Sequence, residues 1–468
     1  MLGGMQLKLL ILGSLLMLLG YLSKKHPNLI IWCAAFCLLI CFGLIKFQYL
    51  HNLDDLRPWH DTKSYVEVTE IPITSPNFWD GQRPFVLPLI YKLLGINIGN
   101  FEQFNSMWRI TLFQFILNFL VWIFFAFTVS LQTKHLFLKF FSTAIILLLG
   151  LGIDIGLWER MLLTESISNS LFIFIVALIL LKESIEKNKR CIYNITLSIL
   201  LWISIVLYIF IRDANASIVL IGGFLYLLYV LFRMKGKKQY ILNFSLSLMV
   251  ILCSAFSLIQ VNNSNRWWEP MSHVLNNRIM VEPELTQFFI NNGLDLNKVD
   301  INLLNQPKAQ QMAFYQKTKT IYTKFLISHP LYVLKPFSEI NSLISPSNLS
   351  YLHNPPEPTN WERRLSNIIY PKNNIIYPIG IILCILTIVI NKYKFKVGDF
   401  VVAFLILSVI PLSLLIWHSD TIEIPRHAEQ FLLQSRMGFW ISILFFLDAL
   451  ENKFWKENSK KIIPFEKI

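Results

Sequence analysis

The chain has 468 residues, of which 54 % are hydrophobic and 15 % charged. No water-soluble domain of that length needs so much apolar surface, so composition excludes a soluble enzyme or binding module and points to an integral membrane protein. The formal net charge of +13 would suggest nucleic acid in a soluble protein, but much of it lies in short loops between apolar stretches. There it orients helices and meets anionic lipid heads, so no nucleic-acid partner is expected.

About eleven apolar stretches of near-spanning length follow one another, at roughly 6–22, 28–49, 109–131, 137–153, 166–182, 192–211, 215–232, 240–261, 374–391, 399–417 and 430–449. The expected fold class is therefore all-α and polytopic, with about 11 transmembrane helices. The first stretch is followed, not preceded, by Lys24 and Lys25, and no small-residue cleavage site comes after it. That order reads as a retained helix rather than a signal peptide. Basic residues recur in alternate connections: Lys24 and Lys25, Lys134 and Lys139, Lys182 to Arg190, Arg233 to Lys238, Lys392 to Lys396, and the tail from Lys453 to Lys467. The positive-inside rule makes these cytoplasmic, with the N-terminus outside and the C-terminus inside. With no eukaryotic signal, a bacterial inner membrane is the default location. Cys33, Cys37, Cys41, Cys191, Cys253 and Cys384 fall inside spans or at a cytoplasmic end, so neither an outward disulfide nor a zinc site is expected.

Four regions result. Residues 1–262 form an N-terminal membrane module of about eight helices, including an outward loop at 50–108. Residues 263–373 form an outward subdomain, 374–450 the C-terminal membrane helices, and 451–468 a basic tail. In the first loop Asp54, Asp55 and Asp61 precede Tyr65, and Pro84 to Leu94 is apolar but too short to span, which predicts an interfacial helix. In the second, Ala309 to Ile327 predicts an amphipathic helix, broken at His329-Pro330 before a further run, Leu331 to Leu343. That segment has too few apolar residues for a large core of its own and is expected to pack on the membrane helices.

The outward connections gather Asp54, Asp55, Asp61, Arg83, Glu159, Glu165, Arg212, Asp213, Arg426 and His427. A carboxylate at a membrane surface can take the proton of an acceptor hydroxyl, best when burial raises its pKa; a solvated loop end with Asp54 or Asp55 as a helix cap is the plainer account. Glu165 opens a span, where the helix dipole favours a negative charge, and it also suits a substrate hydroxyl or the orientation of a base. Arg212 and Asp213 read either as an ion pair closing a tight turn or, for Arg212, as a substrate ligand. Arg426 and His427 can donate to a phosphate. Arg436 lies inside the last apolar stretch, where an ionisable group is costly; it either serves a site or snorkels outward beside Glu429.

Base, second carboxylate and cationic cluster at one surface are what transfer from a lipid phosphate requires. With these features the chain resembles the GT-C class of membrane glycosyltransferases, which includes the dolichyl-phosphate-mannose protein mannosyltransferases and the lipid A aminoarabinose transferases. His60-Asp61-Thr62-Lys63-Ser64-Tyr65 is similar to that class's acidic motif and following tyrosine. Leu163-Thr164-Glu165-Ser166 resembles its later outward glutamate, and Pro425-Arg426-His427 its Arg-aromatic motif. The resemblance implies a GT-C-like fold and metal-optional, inverting transfer of a sugar from a polyprenyl-phosphate donor to a glycan, lipid or protein acceptor. It implies Asp61 or Asp55 as base, with Tyr65 favouring Asp61, and Glu165 beside it. Arg426, His427, Arg436, Arg212, Arg83 and Tyr65 would line the substrate site. No metal or other cofactor is expected. Many members carry an acidic pair where Asp61 here stands alone.

Two other readings compete. A polymerase or ligase with a diphosphate-linked donor would use arginines and histidines of the large loop, such as Arg266, Arg278, His273 and His329. A transporter or flippase would place charge near the bilayer midplane, where these spans look nearly free of it.

Overall fold

The computed structural model describes residues 27–51, 56, 58, 60–81, 83–186, 191–233, 240–294, 296, 308–337, 360–371, 375–392, 396–422 and 424–461. Their regular structure is all helical. The helices used below are α1 (Pro27–His51), α2 (His60–Glu67), α3 (Val86–Leu93), α4 (Phe104–Gln132), α5 (Leu136–Gly150), α6 (Glu165–Glu186), α7 (Cys191–Ile211), α8 (Asp213–Arg233) and α9 (Tyr240–Asn263). They continue as α10 (Trp268–Val274), α11 (Pro283–Asn291), α12 (Lys308–Ser328), α13 (Asn360–Ile369), α14 (Ile376–Ile390), α15 (Val397–Leu407), α16 (Val409–Ser419) and α17 (Ile424–Lys461).

Among the described residues, seven helical segments are long and apolar enough to cross a membrane, with shorter apolar helices at Cys33–Gln48, Leu136–Gly150 and Ile376–Ile390. Ten of the expected stretches are thus helices, and the stretch at 6–22 lies outside the described residues. The stretch at 399–417 is two helices, α15 and α16, joined at Ser408. Pro411 lacks the N–H that would bond back to Leu407, which accounts for the break there. The last helix, α17, runs well past the expected end into the basic tail.

Short connections make antiparallel neighbours of α4 and α5, α7 and α8, and α8 and α9. The centre is α6, packed on α4 and α7 and touched by α15 and α17. Its apolar window is 78 % buried against 22 % for those of α7 and α9, so α6 is enclosed by protein while α7 and α9 present apolar faces outward. Exposed Ile199, Ile203, Leu252 and Phe256 are such faces. Cys33, Cys37 and Cys41 are likewise exposed on one face of α1. At the turn after α5, Gly150 and Gly152 admit Trp122 and Tyr370; a Cβ on Gly152 would stand 2.5 Å from the Tyr370 ring.

The connections sort to two ends. At one, Lys134 N donates to Asp448 Oδ1 (2.7 Å), Gly398 N to Glu183 Oε2 (2.9 Å), and His135 meets Glu451. At the other lie α2, α3, the segment before α6, the α7–α8 turn and the start of α17. The expected interfacial helix is α3, but Val86, Leu87 and Tyr91 enter the main core and only its far end, Leu93, is largely exposed.

The segment after α9 has more core than its composition suggested. Met271, Val274, Leu275, Ile279, Leu285, Phe289, Tyr315, Tyr322 and Phe325 form a buried cluster of their own, with α12 close to its expected limits. As expected, the unit also docks on the membrane helices. Arg278 donates to Trp417 O (2.6 Å) and stacks over the Trp417 ring at 3.5 Å, and Tyr322 reaches His418 Nδ1 (3.1 Å). After Pro330 only a short helix, Pro330–Val333, and a 3-10 turn, Lys335–Phe337, are described; the rest of the expected run to Leu343 lies outside the described residues.

Candidate active site

Residues far apart in sequence meet where α2, α6 and α17 begin. Asp61 lies in the first turn of α2, where helix N–H groups favour a carboxylate. Its Oδ1 accepts from Arg83 Nη2 at 2.7 Å and its Oδ2 from Arg426 Nη2 at 2.9 Å. Arg426 also donates through Nε to Glu165 Oε1 at 2.7 Å, and Arg212 Nη2 stands 3.5 Å from that oxygen. Arg426 therefore links the two carboxylates. Three guanidiniums face two carboxylates here, and a third carboxylate, Asp420, stands behind His427.

The neighbouring groups are fixed just as closely. Arg83 Nε donates to Ser64 Oγ at 2.7 Å, and its guanidinium lies 4.9 Å from the centre of the buried Tyr65 ring. One arginine thus reads the Asp61, Ser64 and Tyr65 face of α2, residues three and four apart on a helix. Leu162 O accepts from Thr62 Oγ1 (3.0 Å) and Tyr91 Oη (2.7 Å), tying the segment before Glu165 to α2 and α3. Arg212 Nη2 is 2.6 Å from His427 Nδ1. His427 Nε2 is 3.3 Å from Asp420 Oδ2, and Asp420 Oδ1 is 3.1 Å from His273 Nδ1 on α10.

Burial pushes the Asp61 carboxyl up, but the Arg83 and Arg426 guanidiniums outweigh it and hold it below its usual value. A base tuned upward by burial is therefore not what the structure presents: the arginines reverse the expected direction. Burial raises the Tyr65 phenol, with Arg83 opposing. Asp420 is also pushed up by burial, and hydrogen bonds from His427 and the Ile422 N–H carry it well below the carboxylate range.

Beside the cluster is a small cleft between α8, α16 and α17. Arg212 and His427 stand on its wall among Ile218, Leu412, Leu415 and Phe431. With Gln430 these make three polar side chains on an otherwise apolar wall, which suits an amphiphile with an anionic head.

Of the residues expected at the site, Asp61, Glu165, Arg426, His427, Arg212, Arg83 and Tyr65 come together, and Asp55 lies outside the described residues together with Asp54. Arg436 stands apart. Ten residues beyond Arg426 is about 15 Å along a helix, and there it donates to Leu432 O (3.0 Å) and Pro371 O (3.3 Å) and faces Tyr370. It neither joins the cluster nor snorkels outward; it holds the end of α13 against α17. Arg212 and Asp213 do not close their turn as a pair, because Arg212 turns to Glu165 and His427 while Asp213 meets Arg266 at 3.1 Å.

Glu159 also leaves the surface. It forms a buried ion pair with Lys46, whose Nζ also reaches Asn118 Oδ1 (3.0 Å) midway along α4. The interior is thus not free of charge, and neither half of this pair signals the other in sequence. Ser168 and Asn215 were missed as well: Ser168 Oγ bonds Gln430 Oε1 (3.1 Å) and accepts from Asn215 Nδ2 (2.8 Å). The run Glu165-Ser166-Ile167-Ser168-Asn169-Ser170, polar at the head of an apolar span, was the available signal. Among the described residues no group of three His, Cys, Asp or Glu side chains is arranged to hold a metal ion.

No family model matches the chain, and no curated protein matches it by sequence. The solved structure of the archaeal oligosaccharyltransferase AglB from Archaeoglobus fulgidus, in complex with an inhibitory peptide and a dolichol-phosphate, is similar to it with a TM-score of 0.46 and 14 % sequence identity. The match covers 95 % of this chain and 53 % of that one, so the chain spans about half the length of AglB.

Proposed function

We propose that the chain is a GT-C-like, inverting membrane glycosyltransferase that moves a sugar from a polyprenyl-phosphate donor to an acceptor outside the cytoplasm. The observation that carries this reading is one arginine, Arg426, holding Asp61 and Glu165 together beside a cleft that carries Arg212 and His427 on an apolar wall. The lipid chain would lie along Ile218, Leu412 and Phe431, with its phosphate at Arg212 and Arg426. The basic loops at the opposite helix ends would face the cytoplasm and the site the exterior, with 263–373 as an outward subdomain.

In the free protein Asp61 is a weak base, because two guanidiniums stabilise its anion. A donor phosphate competing for Arg426 removes one of them and raises the affinity of Asp61 for a proton. Asp61 then takes the proton of the acceptor hydroxyl as that oxygen attacks the anomeric carbon. The bond from that carbon to the phosphate oxygen breaks, and the arginines stabilise the charge left on the phosphate. The base becomes competent when the donor is bound, which limits idle hydrolysis.

The test is release of polyprenyl phosphate from a panel of polyprenyl-phosphate hexoses and pentoses by the protein in proteoliposomes with added acceptor glycans. Acceptor-dependent release by the wild type, abolished in Asp61→Asn with donor binding retained, is the expected result. Full turnover in Asp61→Asn would remove Asp61 as the base.

A further inference from the structure

His427, on the cleft wall, is paired with Asp420 behind it. The tautomer follows from geometry. A guanidinium only donates, so with Arg212 Nη2 2.6 Å from Nδ1, Nδ1 must carry the lone pair. The imidazole proton is then on Nε2, facing Asp420 Oδ2 at 3.3 Å. Asp420 is itself anchored, its Oδ1 accepting from Thr421 N (2.6 Å), Ile422 N (3.1 Å) and facing His273 Nδ1 (3.1 Å). A buried, fixed carboxylate behind an imidazole favours the imidazolium, while Arg212 in front opposes it. The remaining charged groups around His427 are Arg426 on its own helix and Glu165 on α6.

From this balance we propose that an anion entering the cleft at Arg212 is bound together with a proton, which His427 takes up on Nδ1. The inference rests on the proposed donor site and adds a switchable second cation to it. When the anion draws Arg212 away, Nδ1 is released from its donor and turns to the anion. A solvent proton adds there, the Nε2–H stays on Asp420, and no heavy-atom bond changes. The phosphate then meets an imidazolium as well as a guanidinium, and His427 holds a proton that can be returned when the lipid phosphate leaves.

The experiment is binding of farnesyl methyl phosphate to the purified full chain in detergent, by calorimetry from pH 5 to 9 in buffers of differing ionisation enthalpy. A diester is chosen because a phosphate monoester itself titrates near pH 6. An anion that draws on Arg426 also raises the proton affinity of Asp61, so the profile is repeated in Asp61→Asn, which should keep the slope. The wild type is expected to lose affinity as pH rises, by up to about tenfold per unit where one proton is coupled, and to take up about one proton on binding. His427→Gln should bind with a flat pH profile, and His273→Gln should keep the slope. Asp420→Asn, with the imidazole intact but its carboxylate gone, should shift the slope to lower pH. A flat wild-type profile with normal binding, or a slope surviving in His427→Gln, overturns the inference and leaves the donor site standing. No binding at any pH overturns both.

Discussion

Arg426 is the residue on which the site turns. It is buried and shared between carboxylates from two helices, so its removal leaves Asp61 with Arg83 and Glu165 with Arg212. Arg426→Ala should weaken polyprenyl-phosphate binding by about 10- to 150-fold, the equivalent of a charge-assisted hydrogen bond of about 1.5–3 kcal/mol; unchanged affinity in a binding titration would refute its role. The pH dependence at Asp61 has a definite sign. Its folded value is depressed below 3.8, so its pairing with the arginines contributes stability above about pH 4 that is lost as pH falls through the folded value. Acid unfolding followed by tryptophan fluorescence should show that limb in the wild type and a weaker one in Asp61→Asn. At this scale the residue types were legible, since Asp61, Arg426 and His427 stand out in the connections between apolar stretches. Their partners were not: Arg212 with Asp213 is the obvious local pair, and the fold instead sends Arg212 to Glu165 and His427 and Asp213 to Arg266 in the α9–α10 turn.

Among elements, the apolar stretches predicted helices well because spanning length and composition leave the backbone few alternatives. What lies between helices was harder to read. The Lys46–Glu159 pair joins α1 to the segment before α6, 113 positions apart, and no local pattern announces such a contact. Breaking a buried pair by removing one partner costs about 3–5 kcal/mol, whereas replacing both with neutral groups of similar size costs far less. Lys46→Met or Glu159→Gln alone should therefore lower Tm clearly, and the double variant should recover most of it. Additive losses in the double variant would show that the two side chains act separately. The docking of α10 and the helical segment that follows it, Leu275–Ile279, on α16 makes a further prediction. Arg278→Ala removes both the bond to Trp417 O and the stacking on its ring, and should speed limited proteolysis between α9 and α12; an unchanged cleavage rate would place the docking energy elsewhere.

For the whole molecule, the alternation of basic loops anticipated which connections share an end, and contacts such as Gly398 with Glu183 and Lys134 with Asp448 fit that order. Composition could not show the compact core of the unit after α9, because its apolar residues are dispersed over α10, α11, α12 and the segments between them. Nor could it show that the cationic cluster opens beside an apolar cleft, a property of three helices at once. That juxtaposition is the central claim, and lipid binding tests it most directly. Thermal stabilisation of the purified protein would be compared for a polyprenyl monophosphate, a polyprenyl diphosphate oligosaccharide and a phosphate-free polyprenol, in wild type and Arg426→Ala. The account predicts selective stabilisation by the monophosphate, lost in the variant. Equal stabilisation by the phosphate-free polyprenol, or preference for the diphosphate, would contradict it.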